Sequence, residues 1–339
     1  MRTALRKWIQ TTICLAIIGG TATNDGFAQK RQSFNNPDIK YIEERGFSLG
    51  FTFGSTDLWG DVGTKSVIDH YNNKVYYNDL FKNMRAMGTV FGRYTYVPGI
   101  SFRAGVGYGQ LYATDEWNKD KAMVSPTIDN DAYQRYMRNL DVHVNLWEGS
   151  LLFEFTPLQL IDWSTGKIAP KRVQPYLLAG VAGFYFNPRG TYLDLDTGHE
   201  SLVELQPLRT EGQGYTSPDM EFPDHYSLWS GAAVGGLGVK FEIGSNLTLG
   251  LEYQLRFTFT DYLDDVSGTY IDPLLFDINH QGNPSKANLA QRMADKSREV
   301  VPGAMNTPGT NRGVEGNDMY SSISFVLYWK LKGRSNPWW

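Results

Sequence analysis

Four aspartates, Asp261, Asp264, Asp265 and Asp272, crowd one short stretch of the chain. Carboxylates at that density are the oxygen donors a calcium ion takes. Their spacing is not that of an EF-hand, and Asp side chains capping turns at the base of a hydrated loop account for the same residues. The 5 histidines are His70, His143, His199, His225 and His280. His225 beside Asp224 and Asp219 comes nearest to a serine–histidine–carboxylate hydrolase arrangement. No serine joins it at the rim of a neighbouring strand, so no enzyme and no cofactor are expected. Six further charges, Arg93, Arg103, Glu154, Lys240, Glu252 and Arg256, fall on the polar side of alternating runs. Mixed signs there predict ion pairing inside a narrow tube rather than contact with substrate.

The elements that must position these charges have a period of two. From Leu247 to Thr260, Leu247, Leu249, Leu251, Tyr253, Leu255, Phe257 and Phe259 alternate with Thr248, Gly250, Glu252, Gln254, Arg256, Thr258 and Thr260. An amphipathic helix cannot give that pattern, because its faces repeat every 3.6 residues. Phe47–Gly54, Ile100–Gly109 and Ser322–Leu331 alternate in the same way. Weaker runs cover about 87–97, 141–156, 173–186 and 227–243, which makes eight strands. In 141–156 the apolar phase changes between Val142, Val144, Leu146 and Leu151, Phe153, Phe155. A bulge near Glu148-Gly149 would produce that change.

Val97-Pro98-Gly99 and Gly244-Ser245-Asn246 read as tight turns, and 157–172 as a moderate link. Four connections are long: about 56–86, 113–140, 187–226 and 262–319. Short turns on one side and long loops on the other mark a transmembrane barrel of eight antiparallel strands, its long loops extracellular. A soluble barrel would be apolar inside; here the charges share a face with glycines, and the apolar face carries aromatics toward its ends, as girdles do. Eight strands leave an interior that side chains just fill, so no wide pore is expected. Residues 282–318, rich in Gly, Pro, Asn and charge, read as mobile. Trp59, Trp117, Trp163 and Trp229 are candidate loop or rim aromatics.

The chain has 339 residues, with 32 Lys and Arg against 36 Asp and Glu. That balance excludes a broad electrostatic nucleic-acid binder. Arg2, Arg6 and Lys7, an apolar stretch to Gly20 and Gly26-Phe27-Ala28 form a signal peptide. The expected organisation is a cleaved signal at 1–28, an N-terminal segment at 29–45, the barrel at 46–333 and an aromatic tail at 334–339. Cys14, the 1 cysteine, leaves with the signal, which excludes disulfides and thiolate sites. The expected location is the outer membrane of a Gram-negative cell, with its lipid as the first partner.

Four segments resemble the PorG-like outer-membrane barrel family of Bacteroidota, which is associated with type IX secretion. They are Gly54-Ser55-Thr56-Asp57-Leu58-Trp59-Gly60-Asp61, Tyr185-Phe186-Asn187-Pro188-Arg189, Leu205 to Gly214 (LQPLRTEGQG) and Phe259 to Tyr270 (FTDYLDDVSGTY). The resemblance spans about 45–330. It implies an eight-stranded barrel that anchors a secretion apparatus, and in gliding species serves motility. It also implies periplasmic partners, a ring lipoprotein and that protein's own partner. The contact candidates are Lys167, Lys171 and Arg172 in the periplasmic link. The alternative function is a surface barrel that binds ligands or cell-surface molecules through its long loops.

Overall fold

The computed structural model describes residues 46–64, 84–165, 173–216, 221–243 and 247–331. The signal peptide, the 29–45 segment, His70, Lys167, Lys171, Arg172, Asp219, the Gly244-Ser245-Asn246 turn and the 334–339 tail lie outside them. The chain divides into residues 1–44 and 45–339, and all described residues belong to the second unit.

Nine strands run in chain order: β1 Gly46–Trp59, β2 Arg85–Val97, β3 Ile100–Thr114, β4 Asp141–Phe155, β5 Val173–Leu193, β6 Glu200–Glu204, β7 Trp229–Ile243, β8 Leu247–Thr258 and β9 Met319–Lys330. Eight of them form a closed antiparallel ring, β1-β2-β3-β4-β5-β7-β8-β9, with β9 returning to β1 from Ser48↔Lys330 to Trp59↔Met319. The short β6 pairs only with the far end of β5, from Arg189↔Glu204 to Leu193↔Glu200. It is a hairpin extension above the ring, not a ninth barrel strand.

Burial alternates along every barrel strand. Phe47, Leu49, Phe51 and Phe53 of β1 face outward, while Ser48, Gly50 and Thr52 face in. Adjacent strands align the outward aromatics into two rows. Phe47, Tyr94, Phe102 and Phe153 are successive cross-strand partners near the short-turn end. Tyr108, Trp147, Tyr185 and Trp229 are successive partners toward the long-loop end, with ring centroids 5.0 Å apart for Tyr108–Trp147 and 5.3 Å for Tyr185–Trp229. Between the rows the outer face is aliphatic: Val106, Leu151, Val181, Leu237 and Leu251 are all exposed. Such a belt, solvent-exposed on an isolated chain, is stable only against hydrocarbon.

The expected bulge in β4 is absent. Its pairing with β3 and β5 runs without a shift through Val106↔Gly149 and Gly149↔Gly183. Val142, Val144, Leu146, Glu148, Leu152 and Glu154 all face inward. What changes along the strand is the interior itself, apolar toward the long loops and charged below. The described irregularity of the β2–β3 pair lies between Thr95 and Val97, beside the Pro98-Gly99 turn. Gly99 takes φ +91, and a Cβ there would meet the backbone of Leu160 and Thr156. The turn therefore needs glycine both for its dihedral and for its contact with α3, Pro157–Thr165.

The described loop residues fold onto the barrel mouth instead of extending from it. They carry α1 Lys119–Val124, α2 Asp131–Arg138, α4 Leu274–Asn279, α5 Pro284–Ala294 and α6 Ser297–Val300. In α5, Asn283 caps the first turn by accepting from the Lys286 amide at 3.0 Å, with Pro284 in that turn. Ala287, Ala290, Met293 and Ala294 then bury one face at helical spacing. Within residues 282–318, expected to be mobile, 284–294 and 297–300 are helical, and α5 buries one face. One apolar cluster joins loop residues Val62, Trp117, Leu208, Tyr215, Leu263, Phe276 and Met293 to Leu58, Val144, Phe184 and Tyr320 of the strands.

The belt gives a direct test. Replacing Leu251, mid-strand and outward, by Arg should destabilise the barrel in lipid vesicles by ~2–4 kcal/mol. Urea unfolding of the inserted protein reads this, and an unchanged midpoint would contradict a lipid-facing Leu251.

Candidate functional site

The lumen and the cap above it hold the charged chemistry. The structure places Arg93, Arg103, Glu154, Lys240, Glu252 and Arg256 inside the barrel, all buried. They converge because even spacing on neighbouring strands points side chains to one face. Glu154 is the hub. It accepts from Arg93 Nη2 at 2.7 Å and Nε at 3.2 Å, and from Lys240 Nζ at 3.0 Å, while Arg103 Nη1 stands 3.8 Å away. Glu252 accepts from Arg103 Nη1 at 2.7 Å and the Tyr176 hydroxyl at 2.7 Å, and from Gln254. Lys240 also donates to Thr156 Oγ1 at 2.9 Å, below which α3 begins.

Glu148 completes the network and was missed in the sequence, because the supposed bulge removed it from the inward face. It accepts from Arg256 Nε at 3.0 Å and from the Tyr320 hydroxyl at 2.7 Å. Its spacing of six residues from Glu154, an even number, is the signal that could have found it. The inward tyrosines Tyr176, Tyr320 and Tyr328 were also hidden, since tyrosine is equally at home on the lipid face. Each sends its hydroxyl to one of the three glutamates.

The four candidate calcium ligands are not gathered around one point. Asp264 accepts from the Val62 amide at 2.9 Å and the Val266 amide at 3.1 Å. Asp265 accepts from Thr210 Oγ1 at 2.5 Å and the Tyr226 hydroxyl at 2.6 Å. Asp261 accepts from Ser267 Oγ and the Gly316 amide, and Asp272 caps Leu274. Each of the four accepts from a nearby amide or hydroxyl, and among the described residues no group of three or more His, Cys, Asp or Glu is placed to hold a metal ion.

These carboxyls instead stitch the cap. Glu211 receives the Arg312 guanidinium at 2.9 Å and the amides of Ser267 and Gly268. Asp115 receives Arg138 through Nε and Nη2, both at 2.8 Å. Lys296 reaches Asp141 at 2.5 Å. The Asp318 carboxylate accepts from the Leu263 amide at 2.8 Å, so the last loop is clasped by its own beginning. Gly60 sits where a Cβ would strike both Asp264 and Asp318, and only glycine lets the two carboxyls close over it. Burial and the neighbouring Asp61 push the Asp264 carboxyl up to about 7, and burial pushes Asp265 up to about 6 against the pull of Arg312. Burial and Asp264 likewise hold Asp318 well above the ordinary carboxyl range.

The described histidines are dispersed. His143 contacts Asp141 at 3.6 Å, His225 faces Gln206 at 3.3 Å, and His280 faces the Tyr215 hydroxyl at 3.0 Å. Trp117 is buried in the cap core and Trp229 lies in the outer aromatic row, while Trp59 Nε1 donates to Ser321 Oγ at 3.1 Å. The Trp163 side chain lies outside the described residues.

A closed sheet, a lipid-facing belt and a lumen packed with ion pairs define an integral β-barrel of the outer-membrane type. No protein-family model matches the chain, and no curated protein matches it. Among solved structures, it is similar to Ail, the attachment invasion locus protein of Yersinia pestis, at 7% identity over 84% of this chain and 97% of that one, TM-score 0.32. Neisserial surface protein A matches at 9% identity over 84% and 97%, TM-score 0.32. A major outer membrane protein of Thermus thermophilus matches at 10% identity over 84% and 100%, TM-score 0.36. The assignment to this class rests on the strand pairing and the belt.

Two outcomes follow. Glu154→Ala removes the carboxylate that Arg93, Lys240 and Arg103 share. Removing one partner of a buried ion pair costs about 3–5 kcal/mol, and urea unfolding should show a loss of that size. The cap should respond to pH. A carboxyl whose folded pKa is raised holds its proton more tightly in the folded state, so its stabilisation is greatest at low pH. It is lost as pH climbs from the unfolded value of 3.8 through the folded value of about 7 for Asp264. Amide exchange at Leu263 and Val266, corrected for intrinsic rates, should quicken over that window. Asp264→Asn should weaken this dependence at Val266, leaving the remainder to Asp265 and Asp318.

Proposed function

We propose that this chain is a non-conducting anchor of the outer membrane, a structural component of a protein secretion apparatus of the type IX, PorG-like kind. The observation that supports this reading most is where the segments carrying the family resemblance meet. Gly60 from the first, with Val62 just beyond it, Thr210 and Glu211 from the third, and Asp264, Asp265 and Ser267 from the fourth interlock in the cap. The Asn187-Pro188 segment supplies the Leu205 amide with a carbonyl at 3.0 Å, from Pro188. A resemblance carried by residues that assemble one buried unit concerns a retained structure rather than scattered chance matches. The filled lumen fits anchoring and not transport.

On this reading the periplasmic partners, a ring lipoprotein and its companion, engage the short-turn end, with Lys167, Lys171 and Arg172 as contact candidates. No step of catalysis is assigned to any residue. A second reading, a surface barrel that binds ligands through its cap, has one observation in its favour. Met123, Val124 and Ile128 are exposed around α1, as are Leu274 and Ile278 on α4, and apolar side chains turned to solvent are a common mark of contact surfaces.

Co-purification of the tagged protein from outer membranes in mild detergent separates the two. Recovery of a periplasmic ring lipoprotein, lost on charge reversal of Lys167, Lys171 and Arg172, supports the anchor. Recovery of surface components alone, with secretion intact in a deletion strain, supports the cap reading. In planar bilayers the purified barrel should show no stepwise conductance, and a steady open channel would overturn the non-conducting assignment.

A further inference from the structure

The β5–β6 hairpin leaves one edge of its sheet open. Two bonds at its ends fix the pattern of its ladder. The Asp194 amide donates to the His199 carbonyl at 2.9 Å, and the Leu205 amide to the Pro188 carbonyl at 3.0 Å. Both fit the register that sets Tyr192 opposite Ser201 and Gly190 opposite Val203. Hydrogen-bonded and non-bonded pairs alternate along an antiparallel ladder. Ser201 and Val203 therefore turn their amides and carbonyls toward β5, and Glu200, Leu202 and Glu204 turn theirs away. Among the described residues, no hydrogen bond reaches the backbone of those three. The β5 side of the hairpin is closed by comparison. Asp141 Oδ2 accepts from the Thr191 amide at 2.9 Å, and Arg292 Nη2 donates to the Leu193 carbonyl at 2.5 Å. On β6, Glu200, Ser201, Leu202 and Glu204 are all exposed, Leu202 at 51%.

The side chains of that edge select what can pair with it. Val203 packs against the cap core, so Glu200, Leu202 and Glu204 share the opposite face, one carboxylate on each side of an exposed leucine. Asp194 and Asp196 in the hairpin turn add negative charge. The cations nearby are otherwise placed. Arg292 lies over the Tyr192 ring on the core side. Arg189 stands opposite Glu204 in the register, but Glu204 Oε1 accepts from Asn187 Nδ2 at 2.8 Å. A second copy added antiparallel about Leu202 would set Glu200 against Glu204 twice, and an in-register parallel copy would set each glutamate against itself. Like charges directly opposite destabilise a strand pair. Charged edges guard a sheet against its own kind in this way, and the same charges favour a strand of opposite sign.

We propose that β6 binds an extended, basic segment of a partner protein by strand addition, with cationic residues opposite Glu200 and Glu204 and an apolar residue opposite Leu202. The three open amides and carbonyls supply the ladder, and the two carboxylates choose the strand. The site lies at the long-loop end of the barrel. It goes beyond the anchoring role assigned to the short-turn end, and its test is independent of that role.

The test uses the full chain in non-ionic detergent micelles and the capped probe peptide Thr-Lys-Thr-Val-Thr-Lys-Thr, whose pattern reads the same in either direction. Residue-resolved amide exchange should slow at Glu200, Leu202 and Glu204, saturably with peptide. Ser201 and Val203, already bonded to β5, report that the hairpin is intact. A peptide with Glu in place of Lys should give no protection, and Glu200→Lys combined with Glu204→Lys should reverse the preference between the two peptides. N-methylation of one alternate set of probe amides should abolish protection and N-methylation of the other should spare it, since only one set can face β6. Protection that survives both N-methylations, or the charge reversal, would mean loose electrostatic contact and overturn the proposal. So would an absence of protection by the basic peptide. Protection of the three amides that rises with protein concentration in the absence of peptide would make a second copy the occupant and overturn it as well.

Discussion

In hydrocarbon a peptide group without a hydrogen-bond partner costs several kcal/mol, and the architecture of this chain follows from that one constraint. A sheet in lipid cannot keep an edge, so β9 must return to β1 along the full register from Ser48↔Lys330 to Trp59↔Met319. Closing at eight strands fixes a lumen only as wide as the side chains that point into it. The outward residues must then be apolar and the inward ones must satisfy one another without water. Glu154 beneath three cations, and three tyrosine hydroxyls aimed at three glutamates, are the local solution to a geometric demand set by the backbone.

The same demand explains why the interior changes character along its length. In the lower part the lumen is narrow and surrounded by lipid, and ion pairs fill it. Where the strands rise past the row Tyr108, Trp147, Tyr185 and Trp229, loop chain becomes available and the filling turns apolar: Val142, Val144, Leu146, Phe184 and Phe186 pack against Leu205, Leu208, Tyr226 and Leu263. The cap is thus a hydrophobic core of ordinary globular kind, built on a membrane pedestal. Its polar stitches, Arg312–Glu211 and Arg138–Asp115, are buried and satisfy backbone or carboxylate groups that the core would otherwise strand.

The barrel was legible in the sequence because a period of two survives wherever one face meets lipid, and Leu247–Thr260 shows it without interruption. The eight strands and the inward charges could be read from that period alone. Two features could not. Inward apolar residues at the far end of β4 look the same as lipid-facing ones until the cap is present, so Val142, Val144 and Leu146 imitated a phase change and hid Glu148. The cap itself was illegible because its contacts join residues far apart in the chain, such as Arg138 with the Arg312 carbonyl and Val62 with Asp264. Gly- and Pro-rich composition, which reads as disorder, here supplies turns between short helices. The acidic cluster stayed open to two readings for a related reason, since aspartates near a loop base serve backbone amides as readily as a cation.

The clasp around Gly60 joins the loop after β1 to residues on either side of the longest loop, just ahead of the final strand. Its parts come from opposite ends of the barrel-forming chain and sit beside the Trp59↔Met319 end of the β1–β9 seam, so closing that seam brings them together. Contacts of such large sequence separation form late. The cap therefore records, on the cell exterior, that the ring below it is shut. A chain stalled with one strand unpaired would present loose loops, open to proteases and unable to display the finished outer surface. Completion of the sheet and display of that surface become a single event.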